Sequence, residues 1–165
     1  MQNMNVAAGG TLYQDIPTEI YGYETWEDLL MANEERHKNY WQKISYASKI
    51  PSFTVHRIKI LPNSRIYFLD SVKKTAILNV LSIHHQCVDQ TGKDYIITGL
   101  SADGKIAEIL EHTIYPYVIG IQFHPELWII YDDEYTFRSK PDDNNKTIRD
   151  VFTDKDMHFH KEFWQ

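Results

Sequence analysis

Three short runs in the chain hold residue types able to move protons or bind ions. The first is Gln122-Phe123-His124-Pro125-Glu126. Proline between the two polar residues excludes a regular helix or a central strand, so the pair sits on a stiffened turn. There an imidazole can act as a base. The carboxylate can take the other ring N–H, orient the ring and stabilise the imidazolium. Such a pair activates a nucleophile, which must be a serine or cysteine brought from elsewhere. The second run is Ser82-Ile83-His84-His85-Gln86. Adjacent side chains on an extended chain point to opposite faces, which weighs against a catalytic role for the pair His84 and His85. The third is His158-Phe159-His160, whose imidazoles would share a face, as metal ligands do, if the segment were a strand. Against each stands the commoner role of a histidine at a strand end, a hydrogen-bonded structural group. The single cysteine, Cys87, excludes an internal disulfide and a cysteine-rich zinc site, and reads as a small buried hydrophobe.

These runs need elements to hold them. Residues 75–83 and 117–123 are nearly continuous apolar stretches, the pattern of strands buried on both sides. Each leads into one of the first two runs, and in open α/β sheets ligands bind beyond the carboxyl ends of strands. Residues 53–61 alternate as a strand with His56, Ile58 and Ile60 on one face. Residues 95–100 and 105–110 read as a hairpin around Asp103-Gly104. Thr25 and Asp28 form a capping-box pattern before an amphipathic helix that carries Leu29, Leu30, Tyr40, Trp41 and Ile44 and ends before Pro51. Trp26, Leu30 and Trp41 read as core. Residues 1–8 suit a helix stopped by Gly9-Gly10. Residues 132–145 read as polar loop, and residues 147–165 as a final helix. The tally is mixed α/β, with a unit over residues 1–130 and a polar tail over 131–165.

At 165 residues the chain is one domain's length, ~100–200 residues being usual. Hydrophobic residues make up 42% and charged residues 24%, which argues for a globular fold against disorder. The net charge of −6 disfavours nucleic acid and anionic membrane as partners. No apolar stretch approaches the ~20 residues that span a bilayer, and the first residues lack a charged-then-apolar leader pattern. A reduced, cytoplasmic, soluble protein is expected. Nothing in the residues implies a metal or organic cofactor.

Taken together, the motifs resemble a known family. Residues 1–15, Met1-Gln2-Asn3-Met4-Asn5-Val6-Ala7-Ala8-Gly9-Gly10-Thr11-Leu12-Tyr13-Gln14-Asp15, resemble the segment that follows the nucleophile in class I glutamine amidotransferase-like proteins, most nearly the gamma-glutamyl hydrolase branch. Val55-His56-Arg57-Ile58 with Leu61-Pro62-Asn63-Ser64-Arg65 resembles the family's strand and turn, with Asn63 where glycine is usual. Ser82 to Gln86, Asp103-Gly104, and Gly120-Ile121-Gln122-Phe123-His124-Pro125-Glu126 follow in the family's order. The resemblance covers residues 1–127.

The resemblance implies a flavodoxin-like α/β domain with a Cys-His-Glu triad. In it a cysteine attacks a small gamma-glutamyl amide, and water resolves the thioester. By position, His124 is the base and Glu126 its orienting carboxylate. Gln2 stands on the wall of the glutamyl pocket, and His84 and His85 at its edge. In the family a Cys-Arg-Gly triplet precedes the residue matching Met1, so the expected nucleophile and the N-terminal half of the sheet lie outside these residues. Cys87 follows the wrong strand to replace it. The expectation is a partial hydrolase domain that is inactive alone. The alternatives are half of a split hydrolase completed by a separate N-terminal chain, self-association, or a binding module without chemistry. The amine half of the substrate, and a hydrolytic against an ammonia-delivering role, stay open.

Overall fold

The structure is a computed structural model that describes residues 1–32, 36–44, 49–73 and 77–164. In chain order the elements are α1 (Gln2–Ala7), β1 (Leu12–Tyr13), α2 (Ile16–Glu19), α3 (Trp26–Met31), α4 (Trp41–Ile44), β2 (Thr54–Ile60), α5 (Asp70–Lys73), β3 (Ile77–Ser82), β4 (Cys87–Val88), β5 (Tyr95–Ser101), β6 (Ala107–His112), β7 (Ile119–Ile121) and α6 (Asp154–Trp164). Short 3₁₀ turns precede α5, follow β7 and precede α6. Five strands make one sheet in the order β3-β2-β5-β6-β7, and β1 pairs with β4 apart from it. The α/β class stands. Every strand pairing among the described residues is antiparallel, so they include no parallel layer of the kind a flavodoxin-like sheet would carry.

Alternation dictates β2: His56, Ile58 and Ile60 are buried, while Arg57 and Lys59 are exposed. The β5–β6 hairpin turns at Asp103-Gly104, where Gly104 adopts φ +79°. Asp103 Oδ1 accepts the Lys105 N–H at 3.1 Å. Helix α1 is pinned by Asn5, which is fully buried. Its amide donates to the Thr11 and Gln90 carbonyls, and its Oδ1 accepts the Gly92 N–H at 2.8 Å. A Cβ at Gly92 would lie 2.6 Å from both the Ala8 Cβ and the Asn5 carbonyl oxygen, so only glycine permits this approach.

Four expectations change. The segment expected as one helix from Trp26 is two: Ala32 turns to φ −54°, ψ 136° after α3, and the Arg36 guanidinium takes up the carbonyls of Leu30 and Ala32. Residues 33–35 and 45–48 of that segment lie outside the described residues. The Thr25–Asp28 capping box does form, but Trp26 is 48% exposed and not core. Strand β7 is only three residues long at a sheet edge, and Tyr117 is 96% exposed. Strand β3 is likewise an edge, with Ile77 exposed, and residues 74–76 lie outside the described residues.

The outer edge of β3 is covered by α6. Asp156 accepts the Asn79 backbone N–H and side-chain amide, each at 2.8 Å, and also the N–H and O–H of Thr153, whose hydroxyl oxygen accepts the Asp156 N–H and caps the helix. His160 Nε2 lies 3.3 Å from the Asn79 carbonyl. Residues beyond 130 join the core: Phe137, Ile148, Phe152 and Met157 pack with Phe53 and Leu81. Phe159 packs with Ile58, Val72 and Phe123, and burying each such side chain contributes about 2–3 kcal/mol. Among the described residues no helix is long and apolar enough to cross a membrane.

Candidate functional site

The chain leaves β7 at Ile121 and turns at once. The Gln122 N–H donates to the Glu108 carbonyl, Phe123 buries in the core, and the His124 N–H donates to the Leu81 carbonyl at 2.8 Å. The turn is thereby fastened to both β6 and β3. The Tyr131 O–H donates to the Pro125 carbonyl at 2.8 Å and closes it from below. On this support His124 Nδ1 lies 2.8 Å from Glu126 Oε1, with both side chains partly exposed. An ionised carboxylate only accepts, so Nδ1 carries the hydrogen. The lone pair of the neutral ring is then on Nε2, the arrangement a general base requires.

A second feature gathers the neighbouring side chains. The Gln86 carbonyl accepts from three donors, each at 3.0 Å: Gln2 Nε2, Gln122 Nε2 and His84 Nδ1. It draws α1, the turn after β3 and the turn after β7 to one point. The resulting cleft is lined by Met1, Gln2, Asn3, His84, Gln122 and His124 among others. Of the residues expected from sequence, Gln2, His84 and His124 line this cleft and Glu126 supports His124. His85 points away to solvent, 3.4 Å from Asp15.

Cys87 lies in β4, fully buried, packed with Ile16 and Ile106. Burial, with the charges of Glu108, Glu19 and Asp89 nearby, pushes its thiol up to about 12. It cannot supply a thiolate near neutral pH. His158 and His160 are on α6, not on a strand. Two residues apart on a helix they diverge: His158 is exposed and His160 is buried, stacked on Phe152 with rings 5.0 Å apart. They are not a ligand pair.

Sequence reasoning gave no role to Gln86 and Gln122, although both stand in the candidate runs, and it missed Glu108. The first two act through a backbone carbonyl and an amide, which leave no pattern in residue type. Glu108 had a signal, a lone carboxylate within Ile106-Ala107-Glu108-Ile109-Leu110. It is fully buried, and burial, reinforced by Asp103, raises it to about 8 against the pull of His84. His84, also buried, is pushed down to about 4.

Comparison with known proteins bears on the family. Protein NtpR of Enterococcus hirae is 32% identical over 127 residues, covering 77% of this chain and 44% of that protein. A glutamine amidotransferase-like protein of Rickettsia prowazekii is 30% identical over 142 residues, covering 76% of this chain and 50% of its own. A CTP synthase of Thermosynechococcus vestitus matches at 45% identity over 47 residues, 28% of this chain and 7% of the synthase. The chain spans about half the length of the first two relatives. Residues 1–126 match the family model of peptidase C26, so the resemblance to class I glutamine amidotransferase-like proteins holds and the chain belongs to the peptidase C26 family.

Proposed function

We propose that this chain supplies the His–Glu part of a Cys-His-Glu site that hydrolyses gamma-glutamyl amides, with the nucleophilic cysteine supplied from outside these 165 residues. The observation that carries the reading is the 2.8 Å contact from His124 Nδ1 to Glu126, on the lip of a cleft shared with Gln2 and His84. Met1, at the start of α1, lines the same cleft, so a cysteine just upstream would lie beside His124. The sole cysteine present, Cys87, is buried and held protonated.

In this mechanism His124 Nε2 takes the thiol proton as sulfur attacks the amide carbonyl. A C–S bond forms, the C–N bond breaks, and the imidazolium returns the proton to the leaving amine. Glu126 holds the ring and offsets its transient charge. Water, deprotonated by the same nitrogen, then attacks the thioester and releases the free acid and the thiol. Gln2 binds the glutamyl portion, and His84 stands at the edge of its pocket. The chain alone is inactive.

The test is a gamma-glutamyl hydrolysis assay on the folded chain, with and without a segment carrying the family's Cys-Arg-Gly triplet. Activity only on mixing, and its loss in His124→Ala, is the expected result. No activity in any combination of folded partners would overturn the hydrolase reading and leave a binding module. Activity from this chain alone would overturn the assignment of an external nucleophile.

A further inference from the structure

Beneath the cleft, four buried side chains from four parts of the chain converge. His37 comes from the segment between α3 and α4, His56 from β2, His84 from the turn after β3, and Glu108 from β6. Their exposures are 4%, 2%, 9% and 0%. One donor atom from each lies within 4.8 Å of all the others. Glu108 Oε1 is 3.1 Å from His37 Nε2 and 3.8 Å from both His56 Nε2 and His84 Nε2.

The hydrogen bonding around this group shows what it lacks. His84 Nδ1 lies 3.0 Å from the Gln86 carbonyl, which can only accept, so that nitrogen carries the hydrogen. His84 Nε2 is therefore a bare lone pair, facing a carboxylate oxygen that is also a lone pair. Neither oxygen of Glu108, nor His84 Nε2, has a hydrogen-bond partner among the described residues. The next buried glutamate on the same strand is the contrast. Glu111 is met by the Ser64 and Thr98 hydroxyls and by the Arg65 N–H at 2.6, 2.9 and 2.9 Å. A hydrogen on His37 Nε2 and a proton on Glu108 would together meet at most two of these facing lone pairs, and each buried polar group left unmet costs about 1–3 kcal/mol.

We propose that His37, His56, His84 and Glu108 form a four-coordinate site for a divalent transition-metal ion of the zinc class, a structural centre that fixes the floor of the cleft. Three imidazoles and one carboxylate are a zinc-type donor set, and four protein ligands make a closed, structural site. Ligand bonds of about 2.0–2.1 Å in a tetrahedron place donors about 3.3 Å apart, so the observed spacings close with side-chain adjustments of an ångström or less. The ion meets every facing lone pair at once. The Gln86 carbonyl holding His84 Nδ1–H is the kind of outer contact that orients a ligating imidazole. The Ser82 hydroxyl, 2.8 Å from His56 Nε2, turns away when that nitrogen binds metal. The site uses neither His124 nor Glu126, and it stands whether or not the hydrolase reading does.

The experiment is elemental analysis of the chain purified without chelator, followed by stripping and titration with Zn²⁺ and Co²⁺. Folding is followed by circular dichroism and thermal unfolding. The folded wild type should take up about one equivalent, show the absorption bands of tetrahedral Co²⁺, and gain thermal stability with metal. Glu108→Gln and His37→Ala, each shown to be folded, should weaken metal uptake at least tenfold and lose the Co²⁺ bands. A control with the exposed histidines His85 and His158 replaced by glutamine should bind as the wild type does. Uptake below about a tenth of an equivalent by the folded wild type, or unchanged uptake in both ligand variants, overturns the proposal.

Discussion

The Glu126 carboxylate meets His124 Nδ1 at 2.8 Å across a single proline whose carbonyl is held by the Tyr131 hydroxyl. The contact costs little entropy because the turn is already fastened to Leu81 and Tyr131. It leaves the other nitrogen of His124, a residue that lines the cleft, with its lone pair.

If Glu126 orients and stabilises the imidazolium, its loss lowers turnover more than binding. In the assembly completed by a cysteine-bearing segment, Glu126→Ala should reduce kcat about 10²–10⁴-fold with KM changed little. A reduction under about threefold in kcat would remove Glu126 from the mechanism.

Helix α6 should titrate with His160. Burial first of all drives this imidazole down to about 4 from an ordinary 6.5. Below pH 6.5 the unfolded chain takes a proton that the folded chain refuses until about pH 4. Stability contributed by the neutral ring is thus complete above pH 6.5 and is lost as pH falls between those values, by about 3 kcal/mol. Denaturant unfolding at stepped pH measures it. His160→Phe keeps the stack on Phe152 and should flatten this part of the profile; an unchanged slope would assign the loss to other groups.

Asp156 joins the edge of β3 to the cap of α6 through four donors. Asp156→Ala leaves the Asn79 and Thr153 N–H groups unmet while the Thr153 hydroxyl still caps the helix, and should cost about 2–4 kcal/mol in urea unfolding. A cost below about 1 kcal/mol would show that the edge is not closed this way.

The sequence made part of this legible for definite reasons. Alternation exposed β2, and Asp103-Gly104 exposed the hairpin, because both depend on neighbours in the chain. His124-Pro125-Glu126 was readable because proline restricts the pair locally. The β3 edge was not, since its cover is an aspartate and a histidine 77 and 81 residues away. A continuous apolar run looks the same whether a strand or a helix covers its edge. The break at Ala32 also left no mark, because alanine is the best of helix formers and the chain departs there for tertiary reasons. His37 and Glu108 are single residues in unrelated segments, brought together only by the fold.

The close approach at Gly92 sets the position of α1 and hence of Gln2. Gly92→Ala must push α1 by several tenths of an ångström or more, since the new methyl meets Asn5 and Ala8 at 2.6 Å. In the completed assembly KM for a gamma-glutamyl substrate should rise about tenfold while kcat falls less, if Gln2 binds the glutamyl group. Equal KM in a correctly folded variant would place Gln2 outside the binding pocket.

The most direct test of the central claim is the mass of each component after the completed assembly is quenched during turnover of a gamma-glutamyl amide. A gamma-glutamyl adduct should appear on the cysteine of the complementing segment, should not form at an appreciable rate with His124→Ala, and should be absent from this chain, whose Cys87 is buried and protonated. An adduct on Cys87, or acylation that proceeds equally well without His124, would contradict the account.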